Sequence, residues 1–440
     1  MTSTLPPPPP PSQTAPSNPE AAGSYAKLRN EIVAGGASEQ PGDETVGGMR
    51  AVIGLGVIAA LLALLAWWSI WSFVFVVLLL VCIFLHEVGH FVTARWTGMK
   101  ATQFFLFMGP KLWSFRRGET EYGLRAYPIG AFVRIIGMNN LDDVDPADEP
   151  RAYRNQSYPK RMLVICAGSL MHMIIAITLL FGVYATKGAL GPSGEVVLTS
   201  VVAGSPASEA GVQPDDRVVS VDGQAVSNPD EFVAVIRSHE PGDIIPLVVE
   251  RDGSQVELTV GLGADTRPGD TFGMAFMGVS SAELQGWSTM PIGEAAVRSV
   301  TDLGKAAWQS VGGVVKVLNP VNIWQHLTGA NTDPTTQPTT VVGVSRFSDL
   351  VGAETGFGGI LLMLAGVNVF VGLLNLFPML PFDGGHAAIA TYERLRSRKG
   401  QPQYHADVSK MVPVAMAMMG LLVFLMLAGL YLDFARPLGG

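Results

Sequence analysis

Apolar residues gather into long runs separated by polar stretches. The first run covers residues 50–95, roughly 45 residues, about twice what one helix needs to cross a bilayer. Near its middle, Trp67-Trp68-Ser69-Ile70-Trp71-Ser72 has the make-up of an interfacial aromatic belt, where amphipathic indole rings settle at headgroup level. The run therefore divides into two predicted spans, about 50–68 and 73–95, joined by a tight reversal. Further apolar runs cover 162–186, about 357–389 and 411–432, the fourth span being interrupted by Pro378 and Pro381. Five spans are predicted; merging the first two would leave four.

Between the runs the pattern changes. Residues 192–263 alternate apolar and polar positions as half-buried strands do, with a helix-like stretch at 229–238. Residues 291–318 carry apolar side chains at helical spacing with Arg298, Asp302 and Lys305 interspersed, the pattern of an interfacial or gating helix. Gly, Asn, Thr and Pro over 329–340 predict a flexible link. The N-terminus opens on prolines at 6–11 and continues rich in Ser, Gly, Ala and Glu to about Gly48. Residues 1–48 hold too little apolar surface to offset the entropy of ordering and are predicted to be a disordered tail, with a polyproline ligand as the alternative. No basic segment followed by an apolar core marks a cleavable signal peptide.

Basic residues orient the spans. Lys and Arg are dense from Arg95 to Arg161, between the second and third spans. They are dense again between the fourth and fifth, at Arg394, Arg396, Arg398, Lys399 and Lys410. By the positive-inside rule both loops are cytoplasmic and residues 187–356 face outward. A cytoplasmic start with five spans satisfies these constraints; four spans would put the N-terminus outside.

Composition agrees. Of 440 residues, 48% are hydrophobic and 15% charged, as expected of a polytopic membrane protein with some soluble mass. A net charge of −8 argues against nucleic acid as a partner. Cys82 and Cys166 both lie in apolar spans, so no disulfide framework is expected.

Candidate chemistry sits inside the apolar runs. Across the predicted spans the acidic residues are Glu87 and Asp383, each costing on the order of 3 kcal/mol near the bilayer centre unless paired or metal-bound. Glu87 belongs to Leu85-His86-Glu87-Val88-Gly89-His90. A His-Glu-x-x-His helix presents two imidazoles one turn apart on one face, the spacing a zinc ion needs, with the Glu placed to activate a bound water. The second and fourth spans both run from outside to inside, which brings His86, His90 and Asp383 to similar depth. Two nitrogens and one oxygen would then hold zinc and leave a fourth position for water. A purely structural zinc site would carry four protein ligands and no spare Glu. Cys82, one turn before His86, is read as a small apolar helix residue in preference to a ligand. His172 bonds a neighbouring helix or shapes the site, the former preferred. For His386, one turn after Asp383, a supporting role and none are equally open.

These motifs resemble the site-2 protease family of intramembrane zinc metalloproteases, over nearly everything from about residue 73 to 435. His86-Glu87-x-x-His90 matches the zinc motif, and Asn375-Leu376-Phe377-Pro378-Met379-Leu380-Pro381-Phe382-Asp383-Gly384-Gly385 matches the second motif. The resemblance implies Zn2+ held by His86, His90 and Asp383, Glu87 as catalytic base and Asn375 assisting at the active site. The segment from Phe107-Met108-Gly109-Pro110 through Glu121-Tyr122-Gly123-Leu124 to Pro128-Ile129-Gly130 resembles that family's membrane-associated β-hairpin. Ser205-Pro206-Ala207-Ser208-Glu209-Ala210-Gly211-Val212, followed by Asp215 to Gly223, resembles a permuted bacterial PDZ domain, expected as peptide binder or steric gate. The overall pattern is similar to actinobacterial-type members with one outward PDZ domain. Gly168-Ser169-Leu170-Met171-His172 departs from the usual Gly-Pro-x-x-Asn, and Gly130-Ala131 from a frequent Gly-Gly. The extra N-terminal span lies outside the common core.

The expected fold is an α-helical polytopic membrane protein with a β-hairpin and one inserted α+β PDZ domain. Its parts are the tail (1–48), spans one to three with the zinc motif and hairpin (49–187), the PDZ domain (188–265), a linker with an amphipathic interfacial helix (266–356), and spans four and five with the Asp motif (357–440). The expected function is intramembrane hydrolysis of peptide bonds in single-pass membrane proteins already cut by another protease. By resemblance the substrates are anti-sigma factors or signal-peptide remnants, met in the lipid bilayer of a bacterial cell membrane with the active site near the cytoplasmic side. A catalytically inactive scaffold recruiting partners through the PDZ domain is the alternative. A metal transporter ranks last, because the polar groups cluster at one depth and no internal repeat is evident.

Overall fold

The computed structural model describes residues 48–138, 142–266, 269–317, 319–331, 333, 336–397 and 403–437; the expected Pro-rich tail lies outside them except for Gly48. The chain forms two compact units, Met1–Leu180 with Val300–Gly440, and Phe181–Ser299. Five helices among the described residues are long and apolar enough to cross a membrane.

Helix α1 (Met49–Trp68) and helix α2 (Ile70–Trp96) are separated by Ser69 alone, in extended conformation, whose side chain accepts the Ser72 N–H and caps α2. Ile58 and Leu80, equally far from Ser69 along the chain, belong to one apolar cluster with Phe107 and Leu112. The chain thus doubles back within the Trp-rich segment. Strands β1 (Ala101–Arg117) and β2 (Thr120–Ile135) form the expected antiparallel hairpin, with a feature the sequence did not disclose. Phe104 pairs with both Val133 and Tyr122, and Tyr122 also pairs with Phe115. Each strand bends near its middle, at the positive-φ residues Gly109 and Gly130 with their neighbours Pro110 and Pro128, so the hairpin folds into four segments, antiparallel at the two outer pairings and parallel at the central one. Their order is 131–135, 101–106, 121–124, 113–117. Phe104 and Tyr122 pack against Phe91 of α2, with ring centroids 5.3 and 5.8 Å away, which fixes the sheet to the helix carrying His86 and His90. Helix α3 (Tyr158–Thr186) follows.

The second unit holds β3 (Ala189–Val201), the short α4 (Pro206–Glu209), β4 (Arg217–Val221), α5 (Pro229–Arg237), β5 (Ile244–Arg251), β6 (Ser254–Gly261), β7 (Gly263–Ala264), β8 (Ala275–Phe276) and β9 (Val279–Ser288). Asn228 caps α5 by accepting the Glu231 N–H, with Pro229 in the first turn. The five-stranded sheet has the order β6-β5-β4-β3-β9 and closes on Val196, Leu198, Phe232, Leu247 and Val249. This is the expected PDZ-type module with a wider reach. Its sheet runs on to Ser288, past residue 265 where the domain was expected to end, because β9 pairs with β3 from Val201↔Val279 to Ala189↔Ser288. The Gly-, Asp- and Pro-bearing stretch before β8 has the composition of a linker and conceals that return.

Helix α6 (Ile292–Val317), α7 (Pro320–Thr328), α8 (Val341–Asn375), α9 (Asp383–Arg396) and α10 (Val412–Ala435) complete the chain. The fourth apolar run, 357–389, is not one span. Helix α8 begins well before it, breaks at Gly356 (φ 67°) and ends at Asn375; after a turn containing Pro378 and Pro381 the chain starts again as α9. With these bounds the long helices contain more acids than Glu87: Asp349 and Glu354 lie in α8 and Asp433 in α10. Asp433 is buried and serves the N-terminus of α8, accepting from Thr339 Oγ1 at 2.7 Å, Thr340 N at 3.0 Å and Gly343 N at 3.1 Å. It satisfies donors that a helix start leaves unpaired. Phe75, Ile175, Ile360 and Leu364 form the apolar core among α2, α3 and α8.

A buried ion pair ties α9 to α3: Arg161 Nη2 donates to Glu393 Oε2 at 2.7 Å, and Glu393 Oε1 accepts the Ala406 N–H at 2.7 Å. Replacing Glu393 with Ala leaves the guanidinium buried without its partner, and a loss of about 3–5 kcal/mol is expected in detergent unfolding. The double variant Arg161→Met/Glu393→Leu should recover much of that loss. In the second unit, burial alone would raise the Asp216 carboxyl, but Arg251 and the Gln213 N–H hold it below the ordinary range. A depressed folded-state pKa gives stability that is present above about pH 4 and disappears as pH falls through the folded value. Unfolding followed across pH 2–6 should show this acid-side loss in the parent chain and a weaker one in Asp216→Asn.

Candidate metal centre

Helical spacing on α2 puts His86 and His90 on one face, and the first residue of α9 brings Asp383 to them. His86 Nε2 and His90 Nε2 are 3.1 Å apart, and Asp383 Oδ2 lies 3.5 Å from the first and 3.2 Å from the second. Two ligands about 2.0–2.1 Å from one cation at a tetrahedral angle would be about 3.3 Å apart, so three lone pairs stand at the spacing a zinc-sized ion imposes. Two further observations fit a cation. Asp383 Oδ2 is buried without a hydrogen-bond partner among the described residues. His90 Nδ1 is 2.7 Å from the Val164 carbonyl, to which it donates, leaving Nε2 as the free lone pair. Among the described residues, this is the one group of three or more His, Cys, Asp or Glu side chains with donors so close together.

Glycines let the backbones come this near. Gly89, inside the His-Glu-x-x-His motif, faces the Ala167 carbonyl of α3, which a Cβ would meet at 2.8 Å. Gly168 of α3 lies under both imidazoles, and a methyl group there would overlap the His86 and His90 rings. Gly372 of α8 rests on the Ser169 carbonyl and the His172 Cβ. Gly384 and Gly385 do the same for Asp383: a side chain on either would run into the backbone at Leu376, Phe377, Met379 or Leu380, and the α9 start could not tuck under its own turn. The α9 N-terminus also places Asp383 where unpaired N–H groups favour a negative charge.

Glu87 Oε1 is 3.9 Å from His86 Nε2, and the carboxylate faces the backbone N–H of Val133 on the outer segment of the sheet. Asn375 is the last residue of α8, half-buried at the start of the turn leading to Asp383. His172 bonds a neighbouring helix, as preferred from the sequence, and also lies near the metal motif. Its Nδ1 bonds Asn368 Oδ1 of α8 at 2.7 Å, and its ring lies 4.8 Å from that of His86. Cys82 accepts from Asn368 Nδ2 at 3.3 Å and is absent from the donor cluster. His386 is buried one turn along α9 from Asp383. Sequence reading missed Asn368 and Val133, and met Gly168 only as part of the segment that departs from Gly-Pro-x-x-Asn. A polar residue amid the apolar run of the fourth span marks Asn368, whereas nothing in the sequence marks Val133.

A family model described as peptidase family M50 matches residues 74–420. A protein named zinc metalloprotease Rip1 from Mycobacterium tuberculosis is 32% identical over 407 residues, covering 83% of this chain and 97% of that protein. A putative zinc metalloprotease of Brucella suis is 29% identical over 345 residues, covering 74% of this chain and 86% of its own. Among solved structures, the PDZ domain of an SdrC-like protein from Listeria monocytogenes is similar at 23% identity. That likeness covers 20% of this chain and 85% of that one, with a TM-score of 0.18.

Gly168→Ala tests the packing. Its methyl group displaces both imidazoles, so the purified variant should retain its helical circular dichroism and lose stoichiometric metal, measured by elemental analysis. Full metal occupancy in that variant would refute the crowding argument.

Proposed function

The chain belongs to peptidase family M50, the site-2 proteases, and from that premise we propose that it cleaves peptide bonds within transmembrane segments of single-pass membrane proteins. It is a metalloprotease, and its metal is zinc. The observation that carries the finer reading is the meeting of His86, His90 and Asp383, with Glu87 beside them, between helices apolar enough to span a bilayer.

His86, His90 and Asp383 would hold the ion, and Glu87 would serve as general base. Zinc at this position supplies a Lewis acid that polarises a carbonyl and makes water more acidic. Glu87 takes a proton from the attacking water, whose oxygen bonds to the scissile carbonyl carbon. As the C–N bond breaks, Glu87 returns that proton to the leaving nitrogen. Asn375 is proposed to donate to the developing oxyanion. Apolar surroundings limit competing water and strengthen these interactions.

A transmembrane substrate hides its carbonyls in intrahelical hydrogen bonds, so it has to unwind before attack. The outer sheet segment, residues 131–135, supports an added-strand mode of holding such a segment, because its Val133 N–H already faces Glu87. Anti-sigma factors or signal-peptide remnants, trimmed beforehand by another protease, are the proposed substrates. The PDZ-type module, extended to residue 288, is proposed to face outward and either gate bulky ectodomains or bind a chain end. The open edge of β9 suits the second role. The basic loops support a bacterial cell-membrane location with the catalytic residues toward the cytoplasm.

Reconstituted parent chain should cut a model single-pass substrate, and Glu87→Gln should lower the rate by about 10²–10⁴-fold while keeping its zinc. Equal cleavage by the two would defeat the assignment of Glu87 and the mechanism with it.

A further inference from the structure

We infer that His172 is a positioning residue for His86, anchored in turn by Asn368; this rests on the reading of His86, His90 and Asp383 as the metal site. The two imidazoles of the motif are held differently. His90 is fixed at its far nitrogen, where Nδ1–H donates to the Val164 carbonyl at 2.7 Å. A metal-binding imidazole nearly always has such a partner, which sets its tautomer and aims its lone pair. His86 has no such bond at its far nitrogen, for Nδ1 is buried and unpartnered, and what faces its ring is the Gly168 backbone.

Packing replaces the missing bond. Gly168 and His172, one turn apart on α3, both press on His86. The Gly168 backbone leaves no room for a Cβ beside the His86 ring, and the His172 ring lies 4.8 Å away at 42°. His172 can act as a wall only if it is itself immobile. It is 2% exposed, and its Nδ1 is 2.7 Å from Asn368 Oδ1. The Asn368 amide cannot turn over without loss, because Nδ2 donates to the Leu364 carbonyl at 2.8 Å and to Cys82 Sγ at 3.3 Å. Its oxygen therefore faces His172, which carries its proton on Nδ1. Cys82 lies on α2 one turn before His86. The contacts run from α2 through Asn368 of α8 and His172 of α3 back to α2, a closed circuit that grips the ring of one ligand.

The full-length chain, purified in detergent and stripped of zinc, is titrated with Co(II), whose d–d absorption reports ligand geometry. Affinity is read by competition with a chelator. His172→Ala should weaken cobalt binding by about 10- to 100-fold and alter the band, with helical circular dichroism retained. Asn368→Ala should move both readings in the same direction by less. His172→Phe, which keeps the wall and loses the bond to Asn368, should restore most of the affinity. A merely structural role would lower the unfolding temperature and leave the cobalt band of the folded protein unchanged. Parent-like bands and affinities in His172→Ala and Asn368→Ala therefore overturn the inference. If His172→Ala fails to fold, Asn368→Ala decides alone. No cobalt band in the parent chain would remove the metal site itself, and this inference with it.

Discussion

Two imidazoles and two carboxylates among apolar helices are tolerable only if each is satisfied by another, and the protein is arranged around that constraint. Isolated, any one of them would carry a desolvation cost with nothing to offset it. Drawn to one point, ring nitrogens and a carboxylate oxygen stand 3.1–3.5 Å apart, the spacing a cation would need. The packing serves this convergence. Gly89, Gly168 and Gly372 let α2, α3 and α8 approach closely, as small residues do between membrane helices, and the gap they leave is filled by imidazole.

Asp383 depends on a different device. A continuous fourth helix would carry it past the histidines, whereas a helix that ends at Asn375 and restarts at Asp383 delivers a carboxylate at a positively polarised terminus. The prolines prevent the helix from continuing, and the paired glycines allow the restart to fold close under the turn. The Arg161–Glu393 pair then fastens the far end of α9 to α3, so Asp383 is held from both directions. Asp433 performs the comparable service for the beginning of α8.

Much of this is legible in the sequence because it concerns local spacing. Hydrophobic run length yields the spanning helices, and a four-residue interval yields the paired imidazoles. What escapes is set by contacts distant in the chain. The bends at Gly109 and Gly130 turn a two-stranded hairpin into a four-segment sheet, and only the pairing of Phe104 with both Val133 and Tyr122 reveals it. Strand β9 is hidden by the linker-like stretch before it. Gly168 is legible as a helix residue and illegible as the floor of the metal centre. Asn368 stands out as a polar residue in an apolar run, but its partners at positions 82 and 172 come from two other helices.

The doubling back at Ser69 carries a topological consequence. Since α1 and α2 lie alongside one another with opposite senses, Gly48 emerges at the same face of the bilayer as Thr97, beside the loop that joins α2 to β1. A chain that enters α1 at Gly48 therefore leaves α2 on the side it came from, next to the sheet that Phe104 and Tyr122 hold against Phe91.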